Sequence, residues 1–265
     1  MTEDEAAWVR NYAEEVSDTF RATFQADDRF PGWPRLAQRF SGAVNSVLKY
    51  GFSKFSAVEE AHNEMCVVRA LLANENPRLG RLDYEPPLEG CARSIDFRGT
   101  GEDGLTLFVD VKTMQPKSTD RWDQFEKANE ERWFPANVNV MLSKAWLGGE
   151  LWHSMFAARS RMLEYALELE KKITEGNLLN RENTFFILVL CGAGFHWHED
   201  ELEDFVAFYR TGVHRPDDPF SKAELKHIEK KKISLTRTIT RFACMRRMQG
   251  GVLPAKLNWH VRPPQ

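Results

Sequence analysis

Apolar side chains recur at four-residue spacing through Trp8, Tyr12, Val16 and Phe20, which predicts an amphipathic helix over Glu3 to Phe24. The FPGWP stretch, Phe30 to Pro34, breaks the pattern. A second helix is predicted from about Pro34 to Tyr50, with Pro34 in the first turn, where a missing N–H costs nothing. Phe20, Phe24, Trp33 and Phe40 read as packing residues, and Arg35, Arg39 and Lys49 as a mildly basic, solvated face. A third helix is expected from Ser56 to Asn74, with Ser56 as N-cap and Glu59 completing a capping box. Its buried stripe is Val58, Met65, Val68, Leu71 and Leu72, with Glu60 and Glu64 near the stripe's edge. Asn76-Pro77 ends it, and LDYEPPLEG continues as extended chain with a bend at Pro86-Pro87.

The period then changes from helical to alternating. Ser94 to Thr113 reads as a β-hairpin, with Gly99, Gly101 and Gly104 beside Glu102 and Asp103 in the turn. The second arm, Leu105 to Val111, has the apolar and β-branched composition of a core strand, yet it carries Asp110, with Lys112 just beyond. Alternation puts Asp110 and Lys112 on one face and Val109 and Val111 on the other. Asp96, between Ile95 and Phe97 on the first arm, falls within reach of Asp110. Charge buried in such a strand is costly unless it is paired or holds a metal.

Beyond the hairpin, Gln115 to Arg132 is polar and holds Lys117, Arg121, Trp122 and Lys127, as a surface loop or a stretch lying along a substrate backbone. A long helix follows, beginning near Ser143 or Leu151 and ending at Thr174, with Gly176-Asn177 as its C-cap. Thr184 to Cys191 reads as a fully buried strand and Asp200 to Tyr209 as a helix with Asp200 as N-cap. Ile233 to Phe242 fits either a strand or a helix stripe.

The net charge of -3 conceals an uneven distribution. Glu3, Asp4, Glu5, Glu14, Glu15, Asp18, Asp27 and Asp28 make the beginning acidic, whereas the chain from Lys222 onward is strongly basic, with Lys230, Lys231, Lys232, Arg237 and Arg241 at its centre. Such a run suits either a phosphate backbone or a solvated helix face. The polar, acidic start argues against a signal peptide. The longest apolar run, FFILVLCGAG from Phe185, is about half of what a bilayer crossing needs. Cys66, Cys91, Cys191 and Cys244 are far apart, with no C-x-x-C pair, which fits a reduced, cytoplasmic setting and no zinc knuckle.

Asp96 followed by Asp110-Val111-Lys112 resembles the PD-(D/E)xK nuclease superfamily, whose pattern is an acid on one strand and, after a turn, Asp or Glu, any residue and Lys on the next. Ile95 stands where the name-giving Pro would be. The resemblance covers about Phe55 to Pro116. It implies an α/β fold with a restriction-endonuclease-like core, a central mixed sheet flanked by helices, and an N-terminal helical extension. It further implies that Asp96 and Asp110 hold Mg2+ (Mn2+ as substitute), that a Glu from the upstream helix, Glu64 with Glu60 as rival, completes or orients the coordination, and that Lys112 acts on the reacting water or phosphate. The expected organisation is a helical region over 1–54, the nuclease-like core over 55–221 and a basic extension over 222–265. The implied partner is nucleic acid, DNA first, contacted by Lys230, Lys231, Lys232, Arg237 and Arg241, with room for a homodimer or for partner proteins of a defence system. The implied activity is that of an endonuclease in restriction, defence or repair. The alternatives are a nuclease acting on RNA or single-stranded DNA, and a non-catalytic nucleic-acid or protein-binding module of the same fold.

HWHED offers a second candidate, since His196 and His198 share a face in extended chain and can ligate a metal, although no third ligand has fitting spacing. His62, His153, His214, His227 and His260 are isolated. The lack of a G-x-S-x-G elbow and of a Walker loop counts against serine hydrolases and nucleotide-driven motors.

Overall fold

The computed structural model describes residues 1–75, 77–88, 92–101, 104–114, 158–179, 182–193, 199–213, 234–247, 252–253 and 256–261. The described chain forms two compact units. The first comprises Met1–Thr113, Glu168–Gly194 and Thr238–Gln265, and the second Met114–Leu167 and Phe195–Arg237.

The first unit is built on a six-stranded mixed sheet whose strands lie in chain order. They are β1 (Leu79–Tyr84), β2 (Phe97–Gly101), β3 (Thr106–Thr113), β4 (Thr184–Ala193), β5 (Arg241–Arg247) and β6 (Lys256–Val261). β1, β2 and β3 are successively antiparallel, β3, β4 and β5 run parallel, and β6 returns antiparallel to β5. The chain is therefore α/β, with a mixed sheet flanked by helices, as its sequence predicts. β1 was expected only as extended chain, and β5 resolves the ambiguity of 233–242: residues 234–240 are irregular and the strand starts at Arg241.

Three helices precede the sheet: α1 (Glu3–Phe24), α2 (Trp33–Tyr50) and α3 (Phe55–Leu72). Thr2 caps α1: its hydroxyl accepts from the Glu5 N–H, and the Glu5 carboxylate accepts from the Thr2 N–H. Acids in the first turn, Glu3 to Glu5, also suit the positive end of the helix dipole. Tyr12, Val16 and Phe20 are buried as the spacing requires, but Trp8 remains 44% exposed. Pro34 does lie in the first turn of α2. Gly32, just before it, lies against Tyr84 of β1, where a Cβ would stand 2.4 Å from the Tyr84 Cβ. That close approach seats the start of α2 on the first strand.

α3 departs from its expected outline. It begins at Phe55 with Lys54 as N-cap and no side-chain cap, so the Ser56–Glu59 capping box does not start it. It is also buried nearly all round, with every residue from Ala61 to Val68 inaccessible. The reason is that α3 touches α1 and α2 as well as β1 and β3. A helix enclosed by other elements has no solvent face.

The sheet has two contrasting faces. Val109, Val111, Ile187, Val189, Cys191, Ala243 and Met245 join α1, α2 and α3 in one core. The opposite residues of the same strands, Phe108, Asp110, Phe186, Leu188, Leu190, Phe242 and Cys244, are also buried. Phe108 and Phe186 stack there with centroids 5.7 Å apart. Helix α4 (Ala158–Glu175) extends to Glu175, and its residues from Glu168 onward belong to the first unit. Cys66, Cys191 and Cys244 are free and buried. No described helix is long and apolar enough to cross a membrane.

In the second unit, α5 (Glu199–Thr211) starts one residue earlier than expected, which places Asp200 inside the helix and not at its cap. It buries Leu202, Phe205, Val206, Phe208 and Tyr209.

Candidate active site

The site grows from the point where the β2–β3 hairpin stops pairing. The last rung is Phe97 opposite Val109, so Asp96 stands one position beyond it, across from Asp110. Asp96 is therefore just outside β2, not within the first arm as expected, because the strand begins at Phe97. Its side chain takes over the lost rung: the Val111 N–H donates to Asp96 Oδ2 at 2.6 Å.

Asp110 is wholly buried, at 0% exposure, in the middle of the sheet. Its neighbours across β4 are apolar, with Leu188 in register. Two ammonium groups answer its charge. Lys172 of α4, itself buried, donates to Asp110 Oδ1 at 2.7 Å. Lys112, on the same face of β3 as alternation requires, lies 3.2 Å from Oδ2 and 3.5 Å from Glu168 Oε1. The Lys112 contact is the longer of the two, an ion pair, and Oδ2 has no hydrogen-bond partner among the described residues. Burial pulls the Lys112 ammonium down, but Asp110 and then Asp96 and Glu168 outweigh it and hold its pKa above the ordinary lysine value.

Glu64 reaches the cluster from α3. It is 3% exposed and accepts from Arg39 Nη1 at 2.5 Å and from the Tyr84 hydroxyl at 3.1 Å. Burial pushes its carboxyl up to about 7, against the opposing pull of Arg39 and Tyr84. Glu60, the rival, is half exposed and makes only a 3.7 Å ion pair with Arg39. Asp96 senses both other acids. Burial first, then the charges of Asp110 and Glu64, drive its pKa well above the ordinary range, while the Val111 N–H and Lys172 pull it back.

The fold thus brings together Asp96, Asp110, Lys112 and Glu64, from the start of β2, from β3 and from α3. Sequence reasoning missed three of their partners. Lys172 stands three residues after Leu169, on the buried side of α4, and that helical spacing was the available signal. Arg39 was read as a solvated residue. Its role, like that of Tyr84, depends on the contact of α2 with β1, which no local pattern records.

The donor set suits a divalent cation in one respect and restricts it in another. Asp110 Oδ2 is a buried acceptor with no hydrogen bond, and Asp96 is pressed by two neighbouring negative charges that a cation would offset. No group of three or more His, Cys, Asp or Glu residues suited to holding a metal ion occurs among the described residues, and both Glu64 oxygens already have partners. Two carboxylates are enough for Mg2+, which commonly completes its shell with water and substrate phosphate.

Arg237 donates from Nε to the Tyr209 carbonyl at 3.0 Å, near the end of α5. Arg241 lies over the Phe185 ring, 5.7 Å from its centroid. His196, His198, Lys230, Lys231 and Lys232, with Lys117, Arg121, Trp122 and Lys127, lie outside the described residues. His62 is buried in α3. Its Nε2 is 2.6 Å from the Val252 carbonyl oxygen and its Nδ1 2.5 Å from the Tyr12 hydroxyl.

Compared with known proteins, the chain matches no family model, no curated protein and no solved structure.

Proposed function

We propose that this chain is a metal-dependent nuclease that hydrolyses phosphodiester bonds, with DNA as substrate and Mg2+ as its ion. Asp110 carries the reading: it is a fully buried carboxylate with one oxygen lacking a hydrogen bond among the described residues, two residues from Lys112 and across from Asp96 where hairpin pairing ends. The mixed sheet and the order Asp96, turn, Asp110-Val111-Lys112 support a restriction-endonuclease-like core. Burial of three acids at one place is expensive, and a catalytic role explains why it is kept.

Asp96 and Asp110 are the residues that would hold the ion. A divalent cation there would supply a bound water of lowered pKa and a polarised phosphate. Lys112 stays protonated beside Asp110 and offers positive charge to the phosphoryl oxygens as negative charge builds on them. Glu64, held by Arg39 and Tyr84, lies near enough for its charge to act on Asp96 and would orient the coordination. Lys230, Lys231 and Lys232 contribute phosphate-backbone attraction through their charge.

The test is supercoiled plasmid incubated with the protein in Mg2+, Mn2+ or EDTA, beside Asp110→Ala. The reading expects nicking or linearisation with either metal, none in EDTA, and none by the folded variant. Equal cleavage by Asp110→Ala would remove the assignment. A binding module without chemistry is the second reading, favoured by Lys172, which already neutralises Asp110 directly. Such a module would bind DNA equally well in EDTA and never cut it.

A further inference from the structure

Lys172 is a buried charge that the proposed reaction leaves without a task. It comes from α4, not from the hairpin, and its ammonium is 2.7 Å from Asp110 Oδ1 with side-chain exposures of 6% and 0%. Lys112 pairs with the other oxygen, Oδ2, and is shared with Glu168. The two oxygens of Asp110 are therefore unlike. Oδ1 is committed to a short, enclosed hydrogen bond, whereas among the described residues Oδ2 has a longer ion pair and no hydrogen bond. An ionised carboxylate enclosed in a sheet needs a compensating charge at every moment. With no cation bound, Lys172 is the closer and more enclosed of its two compensating charges.

We propose that Lys172 is a built-in counter-ion that sets the divalent-cation affinity of this site. This rests on the reading of Asp96 and Asp110 as the cation-holding pair. Lys172 neutralises and orients Asp110 when the ion is away, leaving Oδ2 as the oxygen open to it. When the ion arrives, the same ammonium opposes it at close range. The residue thus exchanges affinity for a site that stays folded and aligned while empty.

The decisive experiment compares the metal-free full chain with Lys172→Met and Lys172→Arg, using Mn2+ as the probe in calorimetry and thermal melts. In EDTA, Lys172→Met should melt lower by on the order of 10 °C, because Asp110 loses its enclosed partner. Saturating Mn2+ should close most of that gap. The variant should bind Mn2+ about tenfold or more tightly than the wild type, since a like charge has been taken from beside the ligand. Lys172→Arg should return both values toward wild type. An unchanged or weaker Mn2+ affinity in Lys172→Met, or a melting gap that Mn2+ leaves intact, overturns the proposal. Wild-type protein that takes up no Mn2+ overturns the cation-site reading itself, and the proposal with it. If Lys172→Met does not fold, the double variant Lys172→Met/Asp110→Asn removes both charges. Its folding would support charge compensation, and its failure to fold would assign Lys172 to packing and overturn the proposal.

Discussion

His62 and Glu64 stand two residues apart on α3 and are both buried, yet they are partnered in opposite ways. His62 sits among the rings of Tyr12, Phe20 and Phe40, at centroid separations of 5.6, 5.6 and 6.4 Å. Nε2 donates to the Val252 carbonyl, which fixes the tautomer, and Nδ1 accepts from Tyr12. Each ring nitrogen has a polar partner, and the contact ties α1 and α3 to the chain at Val252. Glu64, Asp96 and Asp110 form the other kind of cluster. Their charges repel one another, two of the acids are held protonated beyond their ordinary range, and one buried oxygen lacks a hydrogen bond. The first arrangement is what architecture alone demands of a buried polar group. The second costs stability, and that cost marks it as the candidate for chemistry.

The comparison breaks most visibly at Lys112. If the charged cluster is chemical, Lys112→Ala should lose about a hundredfold to a thousandfold in single-turnover cleavage. It should keep Mn2+ binding in calorimetry, because an ammonium is not a metal ligand. Wild-type turnover in this variant would reduce the Asp110–Lys112 pair to a structural ion pair.

His62→Ala should show the reverse pattern. It empties an aromatic-walled site and removes a hydrogen-bond partner from the Tyr12 hydroxyl and from the Val252 carbonyl, which should cost about 3 kcal/mol of stability by denaturant unfolding. Cleavage per folded molecule should not change. A specific loss of turnover with stability intact would move His62 into the chemistry and erase the contrast.

The parts legible in the sequence are those that obey a short period. The strand alternation that places Asp110 and Lys112 on one face, and Val109 and Val111 on the other, is local, and the fold obeys it. The hairpin was legible because its turn residues announce it. The convergence of Asp96 on Asp110 followed from hairpin register, although β2 begins at Phe97 and not at Ser94, where the hairpin was expected to begin. What was not legible depends on elements distant in sequence. Arg39 meets Glu64 because α2 packs against α3, and Lys172 meets Asp110 because α4 reaches the second face of the sheet. β1 itself was missed as a strand because Gly80, Arg81 and Asp83 interrupt its apolar positions, as is common in a strand that, like β1 among the described residues, has a neighbour on one flank.

A smaller effect sharpens the comparison through pH. Glu64 ionises near its ordinary value of 4.5 when unfolded but only at about 7 in the folded chain. Between these values the folded protein holds a proton that the unfolded chain has released. Stability of the metal-free protein should therefore fall as pH rises through that window and level off above it. Asp96, raised for the same reasons, adds to the fall. Glu64→Gln should flatten the Glu64 share, seen as smaller changes in the urea midpoint between pH 4.5 and 8 in EDTA. A wild-type midpoint that climbs across this window would contradict the cluster's electrostatics.

The central claim is that the acids are kept for chemistry at the expense of stability, and Asp96→Asn tests it most directly. The amide retains an oxygen for the Val111 N–H and removes a charge that Asp110, Glu64 and burial all oppose. The variant should fold at least as stably as the wild type at neutral pH. The measurement is its initial rate of Mg2+-dependent plasmid cleavage. The account predicts a rate at background in this well-folded protein, and cleavage at the wild-type rate would contradict it.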